Sequence, residues 1–261
     1  MVMCLAADAA DPVALDGIAH VAFRVTGVAA SREFYRKLGF EQAFELGSGA
    51  TMVSYVKIND RQFIELYARA TEDLPTGLMH LCFEMSDTDG LFEAYVKRGL
   101  GPTDKRKARA GNLLFNLRDA GGQVVEYTQY LPGSLHSNER GKHLGADRIS
   151  TRMVRASASA RAVAEERAFF EKLGFADSGG NGVVRLRLPG DSGQEIDLEA
   201  AASGWKPRIE FAVADVRRAA GELRRRGMRV RTTESGATVT DPDGVTIVFA
   251  AEASGGLRNG R

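Results

Sequence analysis

Short apolar runs recur along the chain, and their periodicity switches between strand and helix in a fixed order. Gly17-Ile-Ala-His-Val-Ala-Phe-Arg-Val25 is nearly continuous in apolar residues and predicts a strand over 18–25 with both faces covered. In the stretch 28–38, Phe34, Tyr35 and Leu38 keep helical spacing, and Gly39 supplies a C-cap. Three β-rich stretches follow near 41–46, 51–58 and 61–67, with Asn59-Asp60 as the turn between the last two. This is a βαβββ unit.

The pattern then repeats. A strand over 78–85 leads to a helix over 88–97, a stop at Gly99, and strands around 105–109, 112–118 and 123–130, the last two joined at Asp119-Ala-Gly-Gly122. His20 precedes Gly39, and His80 precedes Gly99, by the same 19 residues. After Leu131-Pro-Gly133 a polar stretch reads as a linker. Beyond it come a strand over 149–154 and a helix over 162–173, in which Phe169-Phe-Glu-Lys-Leu-Gly-Phe175 echoes Phe34-Tyr-Arg-Lys-Leu-Gly-Phe40. A fourth unit follows, with a strand over 207–213, a helix over 216–226 and a hairpin at Asp241-Pro-Asp-Gly244. The expectation is an α+β protein of four βαβββ units in two halves. Its parts are a disordered segment 1–16, a first half 17–131, a linker 132–147, a second half 148–252 and a disordered tail 253–261.

Ionisable residues inside covered strands must be paired, or must bind a metal, to offset their desolvation. His20 and His80 each sit in such a run. Glu65, in Phe63-Ile-Glu-Leu-Tyr67, follows His20 by 45 residues, and Glu126, in Val124-Val-Glu-Tyr-Thr128, follows His80 by 46. Taken singly, each is more often a satisfied polar residue. The duplicated spacing makes one convergent site the better reading, and two imidazoles with two carboxylates suit a divalent first-row metal. The second half is an internal control: its alignment puts Thr151 opposite His20, Asp197 opposite Glu65, Arg208 opposite His80 and Val248 opposite Glu126. Only Asp197 among these could bind a metal, so one site per chain is expected.

Composition narrows the function classes. The 35 Lys+Arg and 34 Asp+Glu leave a net charge of +1, which points neither to nucleic acid nor to an anionic membrane. Only Cys4 and Cys82 occur, so a disulfide framework is not expected, and no run approaches the roughly 20 apolar residues of a membrane span. A cytoplasmic protein is the expectation, with a clipped export segment at the N-terminus as the alternative.

These motifs resemble the vicinal oxygen chelate superfamily, which contains glyoxalase I, methylmalonyl-CoA epimerase, extradiol dioxygenases and bleomycin-resistance proteins. The cues are Gly17 to Val25, Phe34 to Phe40, Phe63-Ile-Glu-Leu66 and Asp119-Ala-Gly-Gly-Gln-Val-Val-Glu-Tyr127. They cover about 17–130 strongly and 148–251 weakly. The resemblance implies two glyoxalase-like domains with incomplete mixed β-barrels, the second degenerate. It also implies one divalent metal (Ni, Co, Zn, Mn or Fe(II)) on His20, Glu65, His80 and Glu126. The implied chemistry is a glyoxalase- or epimerase-type lyase or isomerase that moves a proton α to a carbonyl, with Glu65 or Glu126 as the base. A Fe(II) extradiol dioxygenase and a drug-sequestering binding protein are the alternatives. The partner would be a small molecule with carbonyl or vicinal oxygens, and the protein a monomer or homodimer.

Three further residues are assigned to substrate binding: Tyr67, which shares the strand face of Glu65, and Arg106 and Arg109, which could form a cationic rim or merely a charged edge. Tyr127 should point away from the site. His136 and His143, in the polar stretch, could fold over the pocket as acid or base, but solvent exposure is the expectation for polar loop histidines.

Overall fold

The computed structural model describes residues 14–180, 182–233 and 236–252. The first half runs β1 (Gly17–Val25), α1 (Val28–Lys37), β2 (Glu41–Leu46), β3 (Val53–Lys57), β4 (Phe63–Ala68), β5 (Gly77–Glu84), α2 (Thr88–Lys97), β6 (Arg106–Lys107), β7 (Leu113–Arg118) and β8 (Val124–Gln129). A short helix, α3 (Leu135–Asn138), follows. The second half runs β9 (Met153–Ala160), α4 (Val163–Lys172), β10 (Ala176–Asp177), β11 (Val184–Arg187), β12 (Glu195–Ala200), β13 (Arg208–Val213), α5 (Val216–Arg225), β14 (Arg231–Thr233), β15 (Gly236–Thr240) and β16 (Thr246–Ala251). The four βαβββ units are those expected from the periodicity, and they form two α+β halves of the same build.

Each half is one mixed eight-stranded sheet with the same order, β2-β3-β4-β1-β5-β8-β7-β6 in the first and β10-β11-β12-β9-β13-β16-β15-β14 in the second. β1 runs parallel to β4 and antiparallel to β5, which in turn is parallel to β8. Val21, Phe23, Ile64, Leu66, Phe83, Val125 and Tyr127 face the helices and join Tyr35, Leu91 and Tyr95 in the main core. Tyr127 thus points away from the concave face, as its parity requires. The core is shared by both halves: Phe40 meets Phe211 and Phe83 meets Phe175, with ring centroids 5.1 and 5.2 Å apart.

The contact between halves has approximate two-fold symmetry. The β15–β16 hairpin lies on α1, where Tyr35 donates to Asp241 (3.3 Å) and Ser31 to Asp243 (3.5 Å). Reciprocally, the β7–β8 hairpin lies on α4, where the Gly121 N–H donates to buried Glu166 (3.2 Å).

Several expectations need correction. The third unit's strand does not lie over 149–154 but begins at Met153. The expected strand 105–109 shortens to the two residues of β6. Within the N-terminal segment expected to be disordered, Leu15 is buried, its N–H donating to the Pro189 carbonyl, and the Asp16 N–H donates to Glu84. The rest of that segment and the tail lie outside the described residues. The stretch after β8 is not a loose connector, because it carries α3 and is pinned to the first half. Lys57, fully buried at the end of β3, donates to the Glu139 carbonyl and to that of Lys142 (2.9 Å) and pairs with Asp60 (2.6 Å). The Leu135 N–H donates to Ala110 (2.8 Å). Gly111, with φ at +89°, lets the backbone of Ser134 approach so closely that a Cβ there would lie 3.1 Å from it.

Candidate metal centre

Strand register alone brings the four sequence-selected residues together. β4, β1, β5 and β8 are consecutive neighbours, and each carries one of them. Ala22 pairs with Glu65 on one side and with His80 on the other, while Cys82 pairs with His20 and with Glu126. Residues two apart on a strand share a face, so all four side chains fall on the concave side. A register shift between Ile18 and His20 leaves Ala19 out of the ladder and packs it against Cys82 on that side.

The four are not equivalent within the site. His20 Nε2, His80 Nε2 and a Glu126 carboxylate oxygen lie within 4.8 Å of one another, the one such group among the described residues. His20 Nε2 is 3.0 Å from His80 Nε2 and 3.5 Å from Glu126 Oε1. Glu65 sits one imidazole further out. Its Oε1 is 3.5 Å from His20 Nδ1, and its Oε2 accepts a hydrogen bond from the Tyr67 hydroxyl (2.8 Å).

Burial dominates the electrostatics. It lowers the pKa of His20, with His80 adding to the effect, and also lowers that of His80, so both rings present neutral lone pairs. Burial, followed by the charge of Glu126, pushes Glu65 up to about 8 against the opposing Tyr67 hydrogen bond. Two neutral imidazole nitrogens facing each other beside a carboxylate fit a divalent cation, which would supply the charge this cluster lacks. They form the two-His, one-carboxylate set that leaves coordination positions open.

The cavity over the cluster measures about 190 Å³, and its lining includes His20, Glu65, Tyr67, Arg109, Glu126 and His136. Arg106 reaches the same cavity. All three residues assigned to substrate binding therefore line it. The volume falls below the roughly 300–1,000 Å³ of pockets for drug-sized ligands, so only a small molecule, or a small part of a larger one, fits. A groove of about 500 Å³ between α1 and the second half, and one of about 470 Å³ between residues 146–149 and α5, hold none of the three grouped ligand atoms.

Among the polar lining residues, sequence reasoning missed Tyr55 and Asn112. Tyr55 pairs across from Glu65 and so shares its face, a parity signal available in the strand pattern. Asn112 had no such signal. His136 was expected in solvent but is 1% exposed, packed against Phe44, Tyr55, Phe63 and Tyr130. His143 is partly exposed, with Nε2 3.1 Å from Glu139.

The second half required a correction of register. Arg155, not Thr151, occupies the place of His20, because Ser157 pairs with Asp197 as Ala22 pairs with Glu65. Arg208 and Val248 stand at the places of His80 and Glu126, as expected.

Residues 17–127 match the Glyoxalase/Bleomycin resistance protein/Dioxygenase superfamily. The match spans nearly all of the first half, which is similar to that superfamily along its length. No curated protein matches the sequence. Among solved structures, the chain is similar to the 2,3-dioxygenase LapB from Pseudomonas sp. KL28, with a TM-score of 0.70 and 16% identity over 93% of this chain and 94% of that one. It is also similar to the Mn(II)-bound glyoxalase from Novosphingobium aromaticivorans (0.67, 16% identity, 92% and 83% covered). A third is homoprotocatechuate 2,3-dioxygenase from Arthrobacter globiformis (0.67, 17%, 97% and 85%). At these identities the likeness establishes the fold across both halves. No helix among the described residues is long and apolar enough to cross a membrane.

Proposed function

We propose that the protein is a metal-dependent enzyme of the glyoxalase and epimerase kind, a lyase or isomerase that moves a proton on the carbon next to a carbonyl of a small substrate. His20, His80 and Glu126 would hold one divalent metal. When bound, it would act as a Lewis acid on the substrate's carbonyl oxygen. The observation that carries the reading is the placement of Glu65, a buried carboxylate in the same cavity but outside the three-atom cluster. Tyr67 holds one of its oxygens. This arrangement leaves a base within the cavity.

In this scheme Glu65 takes the proton from the α carbon, and the electron pair of the broken C–H bond moves toward the carbonyl oxygen. Glu65 then returns the proton to the same carbon or to its neighbour. Tyr67 orients the carboxylate, and Arg106 and Arg109 attract an acidic substrate to the cavity.

One observation favours ring cleavage as a second reading. Three protein ligands leave three positions of an octahedral site, enough for a catecholate and dioxygen. Glu65→Gln separates the two. It keeps the size of the side chain and removes its basicity, so proton transfer should lose turnover on the order of 10²-fold or more, with metal still bound. Cleavage of a catechol by the Fe(II)-loaded protein, with oxygen uptake and a yellow product, retained or raised in E65Q, would replace the isomerase reading with the dioxygenase one.

A further inference from the structure

The polar stretch between the halves contributes a side chain to the cavity that no strand of the first half supplies. His136, on α3, lines the cavity with His20, Glu65 and Glu126. Its ring is stacked on Tyr130 (centroids 4.5 Å) and meets Phe44, Tyr55 and Phe63 edge-on at 4.9, 5.4 and 4.7 Å. Its two nitrogens are treated differently. Nδ1 lies 3.1 Å from the side-chain nitrogen and 3.2 Å from the oxygen of buried Asn112, while Nε2 is buried and has no partner.

A purely structural aromatic in such a cage would be better served by phenylalanine, because a buried polar atom without a partner carries a desolvation cost and gains nothing in return. The cage is also expensive to assemble. Buried Lys57 holds the far end of the α3 segment through two carbonyls, Ser134 caps α3 by accepting from the Ser137 N–H, and Gly111 admits the backbone of Ser134. Asn112 then fixes the ring by Nδ1, leaving Nε2 as a polar atom without a partner on a residue that lines the cavity.

We propose that His136 is a substrate-contacting residue: its Nε2 hydrogen-bonds an oxygen of the small molecule in the cavity, while Tyr55, Val53 and Leu46, which line the same cavity, pack against the molecule's planar or apolar body. Asn112 is the positioning residue that turns Nε2 to this task. The assignment rests on the reading of the cavity as a metal-dependent substrate site but not on which reaction occurs there.

The test uses the full chain loaded with Zn(II), which is redox-inert, and 4-nitrocatechol as a planar probe with vicinal oxygens whose absorbance reports binding. His136→Phe keeps the ring and removes both nitrogens. It should leave the metal content and thermal midpoint unchanged or improved while weakening the probe roughly tenfold, the loss of one protein–ligand hydrogen bond. His136→Gln, which places a polar atom near the position of Nε2, should recover part of the affinity. The inference is overturned if H136F binds the probe as tightly as the parent, or if the parent does not bind it. Metal analysis tells the two failures apart: a parent without zinc removes the metal-site reading as well, whereas a zinc-loaded parent with an indifferent H136F removes only the role of His136.

Discussion

The two halves share one sheet order and one set of register positions, yet they fill the concave face with opposite chemistry. In the first half the four central strands present His20, Glu65, His80 and Glu126, of which His20, His80 and Glu126 direct their ligand atoms at a common point. In the second the equivalent positions hold Arg155, Asp197, Arg208 and Val248. Asp197 is fully buried and is met by Arg185 at 2.7 Å, Arg208 at 2.6 Å and Arg155 at 3.8 Å. Glu195 and Glu210 each complete the set with contacts to Arg155 at 2.8 Å. Guanidinium groups provide there the positive charge that a metal would provide in the first half. The same curled sheet can thus be closed by covalently attached cations or left open for a diffusible one, and only the open version keeps positions for a substrate.

The sharpest way to break this comparison is to remove a first-half ligand. His80→Ala or Glu126→Ala should lower metal affinity on the order of 10³-fold, because the site then holds only two of its three grouped ligand atoms. Equilibrium dialysis with metal analysis should give one metal per chain in the parent and none in either variant at the same free metal. A parent stoichiometry of two would mean that the arginine-filled half also binds metal, and the contrast would be lost.

The second half offers the converse. Asp197→Ala leaves three buried or half-buried guanidiniums without their shared carboxylate, and breaking a buried ion pair from one side costs about 3–5 kcal/mol. Urea unfolding should show that loss as a lower midpoint with the slope unchanged, while the folded variant still binds one metal. If D197A lost its metal at unchanged stability, Asp197 would be acting as a ligand and not as the hub of an ion-pair cluster.

Much of this was legible in the sequence because desolvation leaves a signature. An imidazole or carboxylate inside an apolar strand is conspicuous, and His20, Glu65, His80 and Glu126 were found that way. Arg155 was not, for a physical reason. β9 reads Met-Val-Arg-Ala-Ser-Ala-Ser-Ala, and its core face is built from Ala156, Ala158 and Ala160, too weakly apolar to outweigh the stretch around Ile149. The strand was therefore placed early and Thr151 took the wrong register position. His136 was expected in solvent rather than over the pocket because its cage is assembled from β2, β3, β4 and the chain after β8, contacts that no local pattern contains. The inequality within the four-residue set, with Glu65 outside the tight cluster, also needed coordinates, since register gives the face of a side chain but not its reach.

The smallest expected effect concerns the two contacts between halves, which differ as the two concave faces do. Ser31 on α1 and Glu166 on α4 are equivalent, as are the hairpin positions Asp243 and Gly121. On one side a hydroxyl meets a carboxylate; on the other the Glu166 carboxyl is buried with one oxygen on the Gly121 N–H and the Asp119 carboxyl beside it. Burial, and then the neighbouring Asp119 carboxylate, push Glu166 from its usual 4.5 up to about 7. A carboxyl whose folded pKa is raised holds its proton longer in the folded state, so its contribution is complete below about 4.5 and is lost as pH rises through about 7. Asp241, raised to about 6 chiefly by burial, adds a similar fall at lower pH that any Glu166 variant shares. Glu166→Gln remains neutral throughout. It should match the parent near pH 4.5 and exceed it by about 1–2 kcal/mol at pH 8, read as a difference in urea midpoints at the two pH values. An equal difference at both pH values would show that folding leaves the titration of Glu166 unshifted, and a parent that gains on E166Q as pH rises would show that Glu166 is paired in its charged form, as a carboxylate is in the other contact.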